Sequence, residues 1–279
     1  MNYKIVIDSC GELTEEMKKD ERFVSAPLSL EVEGESIIDD TTFNQAEFLR
    51  KVAASPNCPK SACPSPELYR KEFDCNAPHI YAVTLSSELS GSYNSALLAR
   101  NMILEKQPDK KIHIFNSCSA SIGETLIGLK IAEYEGKGLG FEEIVQKVEA
   151  YIESQNTFFV LENLDTLRKN GRLSLVKTFV ASALKIKPVM GATSEGTIYQ
   201  MDQARGINKA LIKMVDYIVD KTADSKNRTL AISHCNCFER AKLVKEAILE
   251  KMPVKDVILL DTAGVSSMYA NDGGIIVVI

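Results

Sequence analysis

The densest run of small, chemistry-bearing residues lies between His79 and Lys106. Ser86, Ser87, Ser90, Gly91 and Ser92 follow the apolar, β-rich segment Ile80 to Leu85. They precede Tyr93, Ala96, Leu97, Ile103 and Leu104, which recur near helical spacing. A strand–loop–helix of this kind aims backbone N–H groups and the positive end of a helix dipole at one point, which stabilises a carboxylate or a phosphate. The serines add hydroxyl donors. The same residues also make an ordinary turn with a serine cap. Asp8-Ser9-Cys10-Gly11 ends a first apolar run, Ile5 to Ile7. It stands where α/β proteins place ligands, or it merely caps its turn. Arg172 is the candidate cation. It follows Asn170-Gly171, which can bring the backbone round sharply, and its fork suits a carboxylate or phosphate. Beside Arg168 and Lys169 it is equally a surface charge at the basic end of a short helix, the plainer reading of those residues alone.

Other chemistries find less support. A serine hydrolase needs nucleophile, base and oxyanion hole, and G-x-S-x-G is absent. His79 and His113 fall at strand positions and read as structural. His234, at the end of a strand, is the one plausible base, so an esterase or acyl-transfer protein using Ser90 with His234 is the enzymatic alternative. Cys235-x-Cys237 beside His234 lacks the second ligand pair of structural zinc, and no metal site is expected. The seven cysteines include no C-x-x-C and read as free thiols. Neither a P-loop nor G-x-G-x-x-G occurs, and no close cluster of carboxylates stands out. No cofactor is expected.

The 279 residues carry a net charge of −5, are 45% hydrophobic and are 25% charged. That is an ordinary globular composition with no electrostatic footprint for nucleic acid or for anionic membranes. No apolar run reaches transmembrane length. The opening MNYKIVID is charged too soon for a signal peptide and reads as a first strand. A cytoplasmic protein is expected and, with no dimer signature, a monomer.

The elements that position these residues alternate. Strands near Phe23 to Ile38 turn at Glu33-Gly34-Glu35. Asn44 opens a helix with Phe48 and Val52. Four prolines between Ser55 and Pro66 forbid regular structure there. Lys111 to Phe115 is a strand, and a helix through Leu126, Leu129 and Ile131 breaks at Gly136, Gly138 and Gly140. Phe141 to Ser154 is a further helix. This is the grammar of a mainly parallel, Rossmann-like sheet covered on both faces. Near Thr157 it changes. A strand at Phe158 to Leu161 leads to a short helix. A buried helix is expected over Leu175 to Leu184, then a hairpin around Thr193 to Gly196 and strands at Thr229 to Ser233 and Asp256 to Leu260. The β-branched end, Ile275 to Ile279, belongs inside a sheet. The expectation is an N-terminal α/β domain over residues 1–155 and a mixed-sheet α/β domain over 156–279.

The chain resembles the DegV family of bacterial fatty-acid-binding proteins, which includes the binding subunits of the fatty acid kinase. Ile5-Val6-Ile7-Asp8-Ser9 is similar to the family's opening I-V-x-D-S. Ser61-Ala62-Cys63-Pro64-Ser65-Pro66 stands for its T-S-Q-P-S-P loop. Ser86 to Ala96 matches S-S-x-L-S-G-T-Y-x-S-A, and Leu164, Leu167, Asn170, Gly171, Arg172, Leu173 and Ser174 match L-x-x-L-x-x-G-G-R-I-S. The resemblance implies a two-domain fold with a long-chain fatty acid, such as palmitate or oleate, in an apolar tunnel between the domains. Its carboxylate would meet Ser61, Ser90, the amide of Gly91 and Arg172. A kinase catalytic subunit would be the partner, and the chain would not itself be catalytic. The family's C-terminal H-x-G-P-G is Ala270-Asn271-Asp272-Gly273-Gly274 here, without the His, and Asn116 stands where many members carry Asp. A binder of another amphipathic anion is the third reading.

Overall fold

The computed structural model describes residues 2–173 and 185–279. Its first half runs β1 (Tyr3–Asp8), α1 (Glu15–Lys19), β2 (Phe23–Ala26), β3 (Ser29–Val32), β4 (Glu35–Ile38), α2 (Gln45–Ala54), β5 (Lys60–Ala62), α3 (Pro66–Phe73), β6 (His79–Thr84), α4 (Ser92–Leu104), β7 (Lys111–Asn116), α5 (Ile122–Gly136) and α6 (Phe141–Ser154). The second half runs β8 (Thr157–Val160), α7 (Asp165–Lys169), β9 (Ile186–Ala192), β10 (Ile198–Arg205), α8 (Ile207–Lys221), β11 (Thr229–His234), α9 (Phe238–Leu249), β12 (Asp256–Asp261), α10 (Gly264–Ala270) and β13 (Ile275–Val278). The helix expected over Leu175 to Leu184, and Ser174 before it, lie outside the described residues.

Local signals set many of the starts. Side-chain oxygens of Thr14, Asn44 and Ser65 accept N–H bonds from the first turns of α1, α2 and α3, and Pro66 opens α3. The proline-rich segment departs from expectation. Lys60–Ala62, the three residues free of proline and next to Pro59, pair antiparallel with β3, Leu30 opposite Ser61. Proline blocks a ladder only at its own position, so a short strand fits between Pro59 and Pro64.

The parallel sheet has the order β2-β1-β6-β7. A six-stranded mixed sheet has the order β10-β9-β8-β13-β11-β12, and β13 sits inside it, between β8 and β11. A small antiparallel sheet, β4-β3-β5, stands beside them. Helix α5 joins the two large sheets. Its Ile127 and Ile131 pack with Ile5, Ile7 and Phe115, while Ile122 and Leu126 pack with Ala231 and Val278.

The mixed sheet has two different faces. Phe158 and Val160 of β8 pack with Met214, Val215 and Val244 of α8 and α9. Phe159 and Leu161 point the other way, toward Leu164, Leu167 and Ile198, as strand alternation requires. Over that second face, Val265 and Met268 of α10 pack with Leu28, Leu30 and Phe48 of the N-terminal half. No helix among the described residues is long and apolar enough to cross a membrane.

Candidate functional site

The inner face of the mixed sheet lines a cavity of about 330 Å³. Its apolar wall includes Leu28, Leu85, Phe159, Leu161, Ile198 and Ile276. Ser61, Ser90, Gly91 and Arg172 all line this one cavity. They come from β5, from the β6–α4 loop and from the turn after α7, so residues far apart in sequence meet there.

Each is placed by local physics. Ser61 sits on the short strand β5, and its Oγ lies 3.1 Å from the Tyr269 hydroxyl on α10. The Ser90 amide donates to the Ser86 carbonyl at 3.1 Å, and the Ser90 hydroxyl accepts the Ser92 N–H at 3.2 Å. Gly91 is the N-cap of α4 and has no side chain to cap it, so the Ser90 hydroxyl alone takes the first amide of the helix, that of Ser92. The amide end of a thirteen-residue helix therefore reaches the cavity at Gly91, while the Asp8 carboxylate holds the Ser92 hydroxyl at 2.6 Å. Arg172 follows Gly171, whose φ of +78° is the left-handed turn that glycine supplies. Its Nε donates to the Leu89 carbonyl at 3.1 Å and its Nη1 to the Asn170 carbonyl. The guanidinium lies 6.0 Å from the centre of the Tyr269 ring. Among the described residues these bonds use two of its five N–H donors.

Tyr269 is the residue that sequence reading missed. It bonds Ser61 and faces Arg172 from inside an apolar helix. Burial raises its hydroxyl pKa, against the opposing pull of Ser61 and Arg172, so it stays a neutral donor. The available signal was its position one residue before Ala270-Asn271-Asp272, where the expected His is absent. At another part of the cavity the hydroxyls of Ser119 and Thr157 bond each other at 2.7 Å. The β9–β10 turn closes against Ser86, which donates to the Gly196 carbonyl at 2.9 Å. A Cβ on Gly196 would stand 2.3 Å from the Ser86 oxygen, so only glycine fits.

His234 lies elsewhere. It lines a second groove with Glu12, Asp39 and Asp261, while Ser90 lines the apolar cavity. Its Nδ1 is 3.1 Å from Asp261. Burial lowers its pKa more than Asp261 raises it, so the ring is held neutral. The Ser90–His234 pair that an esterase would need is not brought together. His79 and His113 contact Glu135 and Glu149 at 2.6 and 2.9 Å, which are framework roles.

Carboxylates do cluster, contrary to expectation. Asp8, Glu12, Asp39 and Glu124 are all buried. Among the described residues, one set of three has its ligand atoms within 4.8 Å of one another, namely Asp8, Cys10 and Glu124. His234, Cys235 and Cys237 form no such set among those residues. The sequence hid the cluster because β1 and α5 are separated by the whole of the parallel sheet.

The family model described as "Uncharacterised protein, DegV family" matches residues 2–279. The chain belongs to the DegV family. A DegV domain-containing protein of Streptococcus gordonii is 34% identical over 278 residues, covering 99% of this chain and 98% of that one. A DegV family protein from Ruminococcus gnavus, solved with vaccenic acid, is 53% identical with a TM-score of 0.97, over 100% of this chain and 99% of that one. The Streptococcus pneumoniae Fatty Acid Kinase (Fak) B3 protein, solved with linoleic acid, is 34% identical with a TM-score of 0.89, over 100% and 99%. The DegV assignment fits the α/β architecture described above, with its parallel and mixed sheets.

Proposed function

We propose that this DegV chain binds one long-chain fatty acid, palmitate or oleate in kind, between a domain of residues 1–155 and one of 156–279. The observation that carries the reading is that Arg172, Ser61, Ser90 and Gly91 all line one mainly apolar cavity. An acyl chain buried there gains roughly 0.8 kcal/mol per methylene. Its carboxylate would be very costly to bury unpaired. The Arg172 fork, two hydroxyls and the Gly91 amide offset that cost. Tyr269 supplies a further hydroxyl beside the same group.

The role is binding, without catalysis. His234 faces another groove, so among the described residues no histidine base stands at Ser90. The protein works in the cytoplasm as a monomer and presents the carboxylate to the catalytic subunit of a fatty acid kinase, a reading supported by the Fak B3 relative. The test is native mass spectrometry of the purified protein, followed by organic extraction and lipid identification. A stoichiometric adduct of fatty-acid mass is expected, and added oleate should be taken up. Empty protein that refuses both palmitate and oleate would overturn the reading.

A further inference from the structure

We propose that Asp8 and Glu124 share a single proton in a sealed carboxyl–carboxylate pair, and that this pair positions the Ser90–Gly91 loop for an anionic head group. The second half rests on the fatty-acid reading above.

Asp8 ends β1 beneath the loop. Its Oδ2 accepts the Leu85 N–H at 3.0 Å and the Ser92 hydroxyl at 2.6 Å. Its Oδ1 accepts the Cys10 N–H at 3.1 Å. Leu85 and Ser92 are the two ends of the segment that contains Ser86, Ser90 and Gly91. One carboxylate therefore pins both ends of that segment. With its hydrogen directed at Asp8, Ser92 accepts from the Tyr69 hydroxyl at 2.7 Å. Three donors on one carboxylate mark Asp8 as the ionised member.

Glu124, in the first turn of α5, has the opposite environment. It is fully buried, and among the described residues neither of its oxygens has a hydrogen-bond donor. Gly11 covers it so closely that a Cβ there would lie 2.8 Å from the Glu124 Cβ. A bare carboxylate in that place, beside a second carboxylate, is strongly disfavoured. As a carboxylic acid, Glu124 donates an O–H to Asp8, which partners one of its two oxygens and leaves the other an uncharged carbonyl. The other titratable groups near the pair are Cys10, Glu12, Asp39 and Tyr69, and none brings positive charge. Burial, then the Asp8 charge, drives the Glu124 pKa well above the carboxylate range.

The test uses the full chain. Wild type, Glu124→Gln and Asp8→Asn are compared by infrared spectroscopy at mildly alkaline pH, by metal analysis, and by affinity for oleate against oleyl alcohol. The wild type should show the carbonyl band of a protonated carboxylic acid, and Glu124→Gln should remove it. The Gln amide still donates to Asp8, so that variant should keep its preference for oleate within about twofold. Asp8→Asn turns an N–H onto the Cys10 N–H in one amide orientation and onto the Leu85 N–H in the other. Its preference for oleate over the alcohol should fall roughly tenfold, with affinity for the alcohol little changed. Should Asp8→Asn not fold, Ser92→Ala cuts the same link and should lower the preference severalfold. A wild type without the band, or with stoichiometric metal lost in Glu124→Gln, would overturn the shared proton. An unchanged oleate preference in both Asp8→Asn and Ser92→Ala would overturn the positioning role. Wild type that binds neither lipid would overturn the fatty-acid reading and the head-group role with it, while the band would still decide the proton.

Discussion

Two strand-to-helix turns in this molecule share one local grammar and differ in chemistry. The β6–α4 turn carries serines into a helix whose N-cap, Gly91, has no side chain to cap it. The β11–α9 turn carries His234, Cys235 and Asn236 into a helix that also has no side-chain cap. Both helix N-termini offer partial positive charge. The first meets Arg172, the Ser61 and Tyr269 hydroxyls and an apolar cavity. The second meets Asp261 and a groove that also holds Glu12 and Asp39. The proposed function thus places an anion at the first turn, while the carboxylates at the second disfavour one. What a loop can bind is therefore decided by the distant segments that cross it as much as by its own residues.

The sharpest way to break this contrast is to remove its cation. Arg172→Ala should weaken oleate binding roughly a thousandfold, about 4 kcal/mol, because a buried carboxylate loses its charged partner. His234→Ala, on the acidic side, and Lys169→Ala, in the neighbouring helix, should each change it by less than about twofold. Titration calorimetry with oleate checks all three. Equal, small effects would dissolve the difference between the two turns.

The acidic side makes its own prediction. Burial raises the Glu12 pKa from the ordinary 4.5 to about 7, although Ser121 hydrogen bonds pull it down. The folded state thus holds a proton that the unfolded state has released. Stability from this group is present at low pH and is lost as the pH rises from about 4.5 through about 7. The linkage amounts to roughly 3 kcal/mol at most. Glu12→Gln should unfold at higher denaturant concentration than wild type at alkaline pH and should match it near pH 5. Asp39, raised to about 6 by burial, adds a slope of the same sign, so some pH dependence should remain in the variant. A wild type whose stability rises with pH over that window would contradict the assignment.

The legible parts were those written locally. Alternating β-branched runs, the helix start at Asn44 and the β-branched end of the chain are properties of short stretches, and they predict the elements well. The types of Ser61, Ser90, Gly91 and Arg172 were legible too. Their meeting was suggested by family resemblance, because from its neighbours alone Arg172 reads as a surface charge. Three features stayed hidden for physical reasons. The prolines around Lys60–Ala62 masked a strand that takes its partner, β3, from thirty residues earlier. Glu124 looked like an ordinary acid in a helix's first turn, where it would favour the dipole at the surface, yet it is fully buried. Tyr269 stands among the apolar Val265, Met268 and Ala270, and nothing next to it in the sequence signals the Ser61 and Arg172 that it meets across the fold.

Tyr269 also gives the finest test of the contrast. Its hydroxyl touches Ser61, and its ring backs the Arg172 guanidinium. Tyr269→Phe keeps the ring and removes one neutral hydrogen bond. The expected loss in oleate affinity is about 1 kcal/mol, roughly fivefold. Tyr269→Ala removes the ring as well and leaves a void under Arg172, so it should cost more. The order Arg172→Ala, then Tyr269→Ala, then Tyr269→Phe follows from charge, packing and a single hydroxyl acting at one head group. If Tyr269→Phe proved as damaging as Arg172→Ala, the hydroxyl would be the principal anchor. The first turn would then owe its selectivity to α10, the helix that reaches across from the C-terminal half, more than to its own cation.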